Sequence, residues 1–367
     1  MWRIYIVQIY HQLPQMPGAS LPPVPTHWLF DRADLAQTPS VLQKEDSASP
    51  IRAPSGTITQ EQERILRGKG VHLIFKMGEF LQLPQHVLTT ACVFFHRFFM
   101  RRPLQISRSG AGWSHYEIAT ACVFLACKAE EALRKLSIVV DAAMASLDKS
   151  PEGQARWADR SFRSNHGSHE FTKWRDLVLL HEETVLTTLC FDFVVPQPHE
   201  ALVRATRLLH VEKPLARLAW SIITDTLRDP TCIIFDAPVL AAGAFKKACI
   251  VYGTDPAMFY GARPPNGPPV PPEEDYIDWL DAFDVDDEEA QSAFEAIEDV
   301  YAFHLPQQQQ RGGHKPPPRQ GPGDVSGEVG VTASVPPPPP PPVPPAALTR
   351  AVPPPASEPK EEGEISG

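Results

Sequence analysis

The side chains that most often carry chemistry do not occur here in the spacings that catalysis or metal binding requires. The six cysteines form no Cys-x-x-Cys pair, so the sequence predicts no metal site. The stretch Gly110–Gly112 has no strand in front of it and does not predict a dinucleotide site. His96 and His115 are expected to cap or to pack, and no serine, histidine and aspartate set stands out. We therefore expect no catalytic residue and no cofactor.

A different kind of chemistry is indicated by Lys128, which lies near the end of an apolar, alanine-rich stretch from Ser114 to Glu131. The stretch lacks proline and glycine, and its apolar residues recur at helical spacing: Ile118, Ala121, Cys122, Leu125 and Ala129. Ser114 and Glu117 match a capping box that would start this helix. A helix that is apolar nearly all round is a central one, so Lys128 is a cation at the end of a buried helix.

The amino-acid composition limits the kinds of protein that this chain can be. The chain has 367 residues, 41 of them proline, and a formal net charge of −10. The prolines cluster, so part of the chain is not expected to pack, whereas the remainder can form a substantial core. The acidic balance argues against nucleic-acid binding as the main role. No apolar run reaches the roughly 20 residues of a membrane span, and the separate cysteines are typical of a reduced, intracellular protein.

Helical spacing of apolar residues predicts an all-α protein. Two groups of about five helices are expected, and the third helix of each is alanine-rich, which suggests a duplicated unit. Thr59 and Gln62 match a capping box at the start of the first group. The predicted first half consists of an N-terminal arm at 1–56 with a short docking helix near 28–36, and a first group at 57–195 with an inserted loop at 149–169. The predicted second half consists of a second group at 196–304 with a proline-rich loop at 261–274, and a disordered, proline-rich and acidic tail at 305–367.

Several short motifs, in this order along the chain, resemble the cyclins of transcription. The stretch from Phe124 to Glu131, FLACKAEE, is similar to the core of the first cyclin box. One helix earlier, FFHRFFM from Phe94 to Met100 is similar to another segment of that box. The segment HWLF at 27–30 and the segment LCFDF at 189–193 resemble the family's N-terminal and helix-closing motifs. The likeness covers about 27–305 and is greatest to the cyclin K and cyclin T types, with cyclin L a near neighbour.

This resemblance implies two stacked five-helix cyclin boxes and a function as regulatory, non-catalytic subunit. The partner would be a cyclin-dependent kinase that phosphorylates the C-terminal domain of RNA polymerase II, in the nucleus. In the family, a lysine and a glutamate at the positions of Lys128 and Glu182 bind backbone groups beside the αC helix of the kinase. Apolar residues near this pair are further candidates for kinase binding: Phe124, Leu125, Leu186, Phe191 and Phe193.

Alternatives remain open at this point. Lys128 and Glu182 could pair with each other, and the apolar candidates could belong to the core. The protein could be a cyclin-fold scaffold, or similar to a general transcription factor, that does not activate a kinase. Cationic residues of the 149–169 insertion could be solvated or could contact RNA or a phosphopeptide: Lys149, Arg156, Arg160 and Arg163. The proline run Pro336–Pro345 could bind proline-recognition modules or serve as a spacer.

Overall fold

The computed structural model describes residues 28–41, 58–105, 112–159, 162–262 and 276–312, with the backbone alone for 305–312. All of these residues belong to one compact unit. The predicted disordered tail from 313 onward, most of the 261–274 loop and most of the arm lie outside the described residues. Within the described residues, no helix is both long enough and apolar enough to cross a membrane.

The first group of helices lies between residues 60 and 188. Its helices are α1 (Gln60–Leu81), α2 (Gln85–Arg101), α3 (His115–Ala129), α4 (Leu136–Leu147), the short α5 (Pro151–Ala158) and α6 (His169–Thr188). Helix α3 contacts α1, α2, α4 and α6, and its residues 118–127 are all buried. The prediction that the alanine-rich helix is central is therefore confirmed.

The second group repeats this plan. Its helices are α7 (Pro198–Leu208), α8 (Lys213–Thr226), α9 (Ala237–Tyr252), the short α10 (Trp279–Phe283) and α11 (Asp287–Gly312). Helix α9, which is rich in alanine, contacts α7, α8, α10 and α11. The all-α fold with two five-helix groups, each built around its third main helix, is thus as predicted, apart from the additional helix α5.

Hydrogen bonds and ion pairs join the two groups. The His96 ring in α2 lies 3.0 Å, through Nε2, from the carbonyl oxygen of Leu227, which follows α8. Arg64 in α1 lies 2.5 Å from the buried carboxylate of Asp229, whose other oxygen is 2.9 Å from His304 in α11. Because these polar groups satisfy one another at the junction, they fix the orientation of the two groups.

The N-terminal arm docks on both groups. Trp28 is 5% exposed, and its indole Nε1 donates to Asp192 at 3.1 Å. The backbone N–H of Phe30 donates to the carbonyl of Ile233 at 2.9 Å. The short helix that follows is a 3-10 helix, Arg32–Gln37, close to the predicted position. The arm thus bridges the first and second groups.

Four predictions about local structure need correction. The insertion at 149–169 is not only a loop, because it contains α5, which starts at Pro151 and is capped by the hydroxyl of Ser150. Glu117 does not complete a capping box with Ser114, since Ser114 makes no side-chain cap and Glu117 binds His181 instead.

The other two corrections concern the second half of the chain. The structure is not purely helical there, because Gly261–Ala262 (β1) pairs antiparallel with Tyr276–Ile277 (β2). Helix α11 continues to Gly312, through residues that the sequence analysis assigns to the tail.

Candidate protein-binding site

Lys128 and Glu182 form an ion pair at the surface of the first group. The Nζ atom of Lys128 lies 2.6 Å from Oε1 of Glu182, and the two side chains are 36% and 12% exposed. The ammonium also lies 4.1 Å from the ring centroid of Phe124, one helical turn earlier. This cation–π contact and the ion pair hold Lys128 in one orientation. The structure therefore brings together the two polar residues that the sequence analysis selected.

The packing of α3 against α6 sets the geometry of this pair. Lys128 is in the last turn of α3, and Glu182 is in the middle of α6, between the buried residues Val178 and Val185. Farther along the same contact, His181 lies 3.0 Å, through Nε2, from the Glu117 carboxylate. Two polar contacts along one helix pair fix both the register and the distance of α6 relative to α3. The site is consequently formed on rigid elements rather than on a loop.

The apolar candidates occupy different depths. Phe124 and Leu125 are 6% and 4% exposed, so in this chain they belong to the core and can act on a partner only from beneath the surface. Leu186 is half-buried. Phe193 is also half-buried, with its ring edge-on to Phe94 at 6.0 Å. Phe191 is 56% exposed. Of the five apolar candidates, Phe191 is thus exposed, Leu186 and Phe193 reach the surface in part, and the other two are buried.

Phe191 projects into solvent because of the backbone that ends α6. Cys190 and Phe191 have φ angles of 51° and 58°, in the left-handed region that residues with a Cβ rarely adopt. The Phe191 N–H donates to the carbonyl of Leu186 at 3.1 Å, which closes the helix end. Left-handed residues other than glycine cost of order 1–2 kcal/mol each. An exposed aromatic ring held by such a backbone is a candidate contact for another protein.

Sequence reasoning missed four exposed aliphatic residues on α6 or just after the ends of α3 and α6, the two helices that carry the ion pair. Leu179 and Leu180, on α6, are 46% and 56% exposed, and Leu179 lies one turn before Glu182. Leu133, which follows α3, is 71% exposed, and Val194, just after Phe193, is 65% exposed. The three-residue spacing of Leu179 and Glu182 was the available signal, because such residues share one helical face. With Leu186 and Phe191, these residues place apolar surface on α6 and just after the ends of α3 and α6.

Several cysteine and histidine side chains outside this site lie in surroundings that make them unreactive. Burial raises the pKa of the Cys127 thiol to about 11 and that of Cys232 to about 12, so both are protonated at neutral pH. Burial lowers the pKa of His199 to about 4, and its ring lies tilted against that of Trp220, with the centroids 4.5 Å apart. No group of three or more metal-ligating side chains converges among the described residues.

Comparisons with known proteins found a family model and several similar proteins. Residues 40–194 match the family model described as cyclin, N-terminal domain. The chain is 32% identical over 225 residues to the cyclin pch1 of Schizosaccharomyces pombe, a match that covers 61% of this chain and 57% of that protein. It is 26% identical over 239 residues to human cyclin-K, covering 64% and 35% of the two chains. The matches thus span little more than half of one relative and about a third of the other.

A solved structure has the same fold. The crystal structure of the yeast RNA Pol II CTD kinase CTDK-1 complex contains a chain that superposes with a TM-score of 0.50 at 18% identity, over 71% of this chain and 73% of that chain. The helical fold and the domain matched at residues 40–194 make this chain similar to cyclins. The similar proteins include the cyclins named pch1, T1 and K.

Proposed function

We propose that this chain is the regulatory subunit that binds and activates a cyclin-dependent kinase acting on the C-terminal domain of RNA polymerase II. The observation that carries the proposal is the surface ion pair of Lys128 and Glu182, at 2.6 Å. The segment that carries Glu182 also presents exposed apolar residues, with Leu179 one turn before Glu182 and Phe191 after the end of α6. A charged pair within an apolar border has the composition of a protein-binding hot spot.

The chemistry of the pair suits the backbone of a partner helix. A lysine ammonium donates three hydrogen bonds, of which Glu182 takes one, and a carboxylate offers several acceptor sites. Together, Lys128 and Glu182 can bind carbonyl oxygens and N–H groups next to the αC helix of a kinase. These are charge-assisted bonds, which are stronger than neutral ones.

Activation follows from holding that helix in place. A protein kinase is active when a glutamate of αC pairs with the ATP-binding lysine. Because α3 and α6 are packed in a fixed register, this cyclin presents a rigid surface that favours the inward position of αC. The chain thus selects the active state of a two-state element and supplies no catalytic group itself.

The polymerase substrate and the nuclear location are proposed from the relatives. The matched cyclins are of the T and K types, and the solved complex of like fold is a kinase of the polymerase C-terminal domain. We extend that activity, and hence a nuclear location, to this chain. The proline-rich segment Pro336–Pro345 would add contacts to proline-recognition modules, and it lies outside the described residues.

A second candidate function is favoured by the same ion pair. Because Lys128 and Glu182 satisfy each other in the chain alone, they could serve only to join α3 and α6. The protein would then be a cyclin-fold scaffold, or similar to a general transcription factor, that binds partners without activating a kinase.

Purification of the tagged protein from its source cell distinguishes the two functions. We expect a cyclin-dependent kinase among the co-purified proteins, identified by mass spectrometry, and phosphorylation of a polymerase repeat peptide by the complex. A complex with no kinase, or a bound kinase whose activity does not depend on this chain, would support the scaffold instead.

A further inference from the structure

A basic cleft lies along the middle of α1 and is separate from the Lys128–Glu182 pair. It has a volume of about 690 Å³ and is lined by six basic side chains: Lys69, His72, Lys76, Lys149, Arg228 and His304. Among the described residues, no aspartate or glutamate lines it. The chain as a whole carries a net charge of −10, so this local excess of cations is contrary to the overall balance.

The cleft is built by both groups of helices. Lys69, His72 and Lys76 lie on one face of α1, at spacings of three and four residues, and span roughly 10 Å at 1.5 Å per residue. Lys149 follows the end of α4, and Arg228 follows the end of α8. Because the junction between the two groups is fixed by buried polar contacts, the backbone segments that carry these side chains keep a set spacing.

The lysines and the arginine of the cleft keep hydrogen-bond donors for a ligand, whereas His304 is bound to Asp229. Lys69 and Lys149 make no ion pair with any residue that the structure describes. Lys76 donates one hydrogen bond to the carbonyl of Ser146 at 3.0 Å, which leaves two of its three donors. Arg228 approaches Asp225 only at 3.8 Å. The charge of Lys69 also acts on a neighbouring histidine. Burial is the main cause, and the charge of Lys69 the second, that lower the pKa of His115 to about 4.

We propose that the basic cleft binds a phosphorylated serine or threonine within an extended peptide. A phosphate brings almost two negative charges and three strong acceptor oxygens, which several ammonium and guanidinium groups can bind at once. A span of 10 Å also accommodates about three residues of an extended chain. Leu73, Leu147 and Tyr116 line the same cleft and provide apolar contacts for the residues beside the phosphate.

A phosphopeptide fits the cleft better than a nucleic acid does. Nucleic-acid binding depends on many phosphate contacts along a continuous basic surface and on long-range attraction. This chain is acidic outside the cleft, so it repels a polyanion while still binding one or two phosphates. The inference concerns the cyclin chain itself and does not depend on the proposed kinase function.

Fluorescence anisotropy of the full-length chain tests the proposal with three labelled probes. The probes are a short peptide library with a central phosphoserine, the same library with serine, and single-stranded oligouridylate. We expect the phosphoserine library to bind, with an affinity that falls as salt is added, and the serine library to bind at least tenfold more weakly. Replacing Lys69 and Lys149 by alanine should weaken phosphopeptide binding about tenfold for each lost charge-assisted bond.

The matched control replaces Lys173 and Lys213, two exposed lysines outside the cleft, and should leave affinity within a factor of two. Circular dichroism checks that each variant is folded. If the double variant of the cleft unfolds, Lys149→Ala alone still tests the proposal, because Lys149 is exposed. Equal binding of the two peptide libraries, wild-type affinity in the cleft variant, or tighter binding of the oligouridylate would each overturn the proposal.

Discussion

Lys128 and Glu182 show how a single ion pair can be available to a partner and still be ordered in the chain alone. The pair is shielded on one side by Phe124 and open on the other. A second pair, Arg67 and Glu63, has a similar distance of 2.6 Å, but its side chains are only 2% and 4% exposed. The difference in exposure, rather than in geometry, separates the pair that we assign to binding from the pair that supports the fold.

Disrupting the two ion pairs should therefore lower the free energy of unfolding by different amounts. Lys128→Met should lower the free energy of unfolding by about 1 kcal/mol, because partly exposed pairs contribute little. Arg67→Met should cost about 3–5 kcal/mol, since it leaves Glu63 charged and buried without its partner. Urea denaturation followed by circular dichroism measures both values. Similar losses for the two variants would favour a purely structural role of Lys128 and Glu182.

His96 makes stability depend on pH. Its ring is fully buried, its Nε2 faces the Leu227 carbonyl at 3.0 Å, and its Nδ1 has no partner among the described residues. A carbonyl only accepts, so the neutral ring must carry its proton on Nε2. Burial, and then the charge of Arg67, lower the pKa of His96 to about 3, well below its value in an unfolded chain.

The sign of the effect follows from that order of pKa values. Between about pH 6.5 and pH 3, the unfolded chain binds a proton on this residue and the folded chain does not, so stability is lost as the pH falls. From pH 7 to pH 5, His96 should remove roughly 2 kcal/mol of stability. His96→Gln keeps a donor near Leu227 but does not titrate. Urea denaturation at the two pH values should show a smaller loss for the variant, and an equal loss would contradict the account.

At the scale of elements, the second group depends on a close approach of α9 and α11. A Cβ added at Gly243 would lie 2.7 Å from the Cβ of Ala293 and 2.8 Å from the backbone nitrogen of Phe294. Because one of these neighbours is backbone, a small shift of a side chain cannot relieve the clash. Glycine at this position is required by helix packing, although it is unfavourable for the helix itself.

Gly243→Ala should consequently destabilise the fold by about 1–3 kcal/mol, despite the better helix propensity of alanine. Gly68→Ala, within α1, is the matched control, because the added Cβ would meet only the His304 ring at 3.4 Å. Thermal or urea unfolding should show a loss for the first variant and no loss for the second. If both variants were equally stable, the close packing of α9 on α11 would not be a constraint.

The elements also show what the sequence could predict. The Thr59–Gln62 capping box is local, and both of its hydrogen bonds form at 3.1 Å. The box at Ser114 fails because Glu117 binds His181, which is distant in sequence and invisible to a local pattern. The exposure of Leu179 and Phe191 depends on which faces of α6 other helices cover. Periodicity thus predicts helices and their core faces, whereas the surfaces left open depend on tertiary packing.

At the scale of the whole molecule, two surfaces have complementary roles in our account. The Lys128–Glu182 pair and its apolar border are proposed to hold a kinase, and the basic cleft is proposed to hold a phosphorylated peptide. The buried junction formed by His96, Arg64 and Asp229 makes both surfaces parts of one rigid body. A kinase bound at one surface would therefore lie at a constant position relative to a peptide bound at the other.

The most direct test of the central claim compares kinase binding by two double variants. One replaces Lys128 and Glu182 by alanine, and the other replaces Glu200 and Lys213, which are exposed on the second group. With the co-purified kinase as partner, the first variant should bind about 100-fold more weakly or worse, and should not activate phosphorylation of the polymerase repeat peptide. The second should match the wild type. Wild-type binding and activation by the Lys128 and Glu182 variant, with its helical circular dichroism intact, would contradict the account.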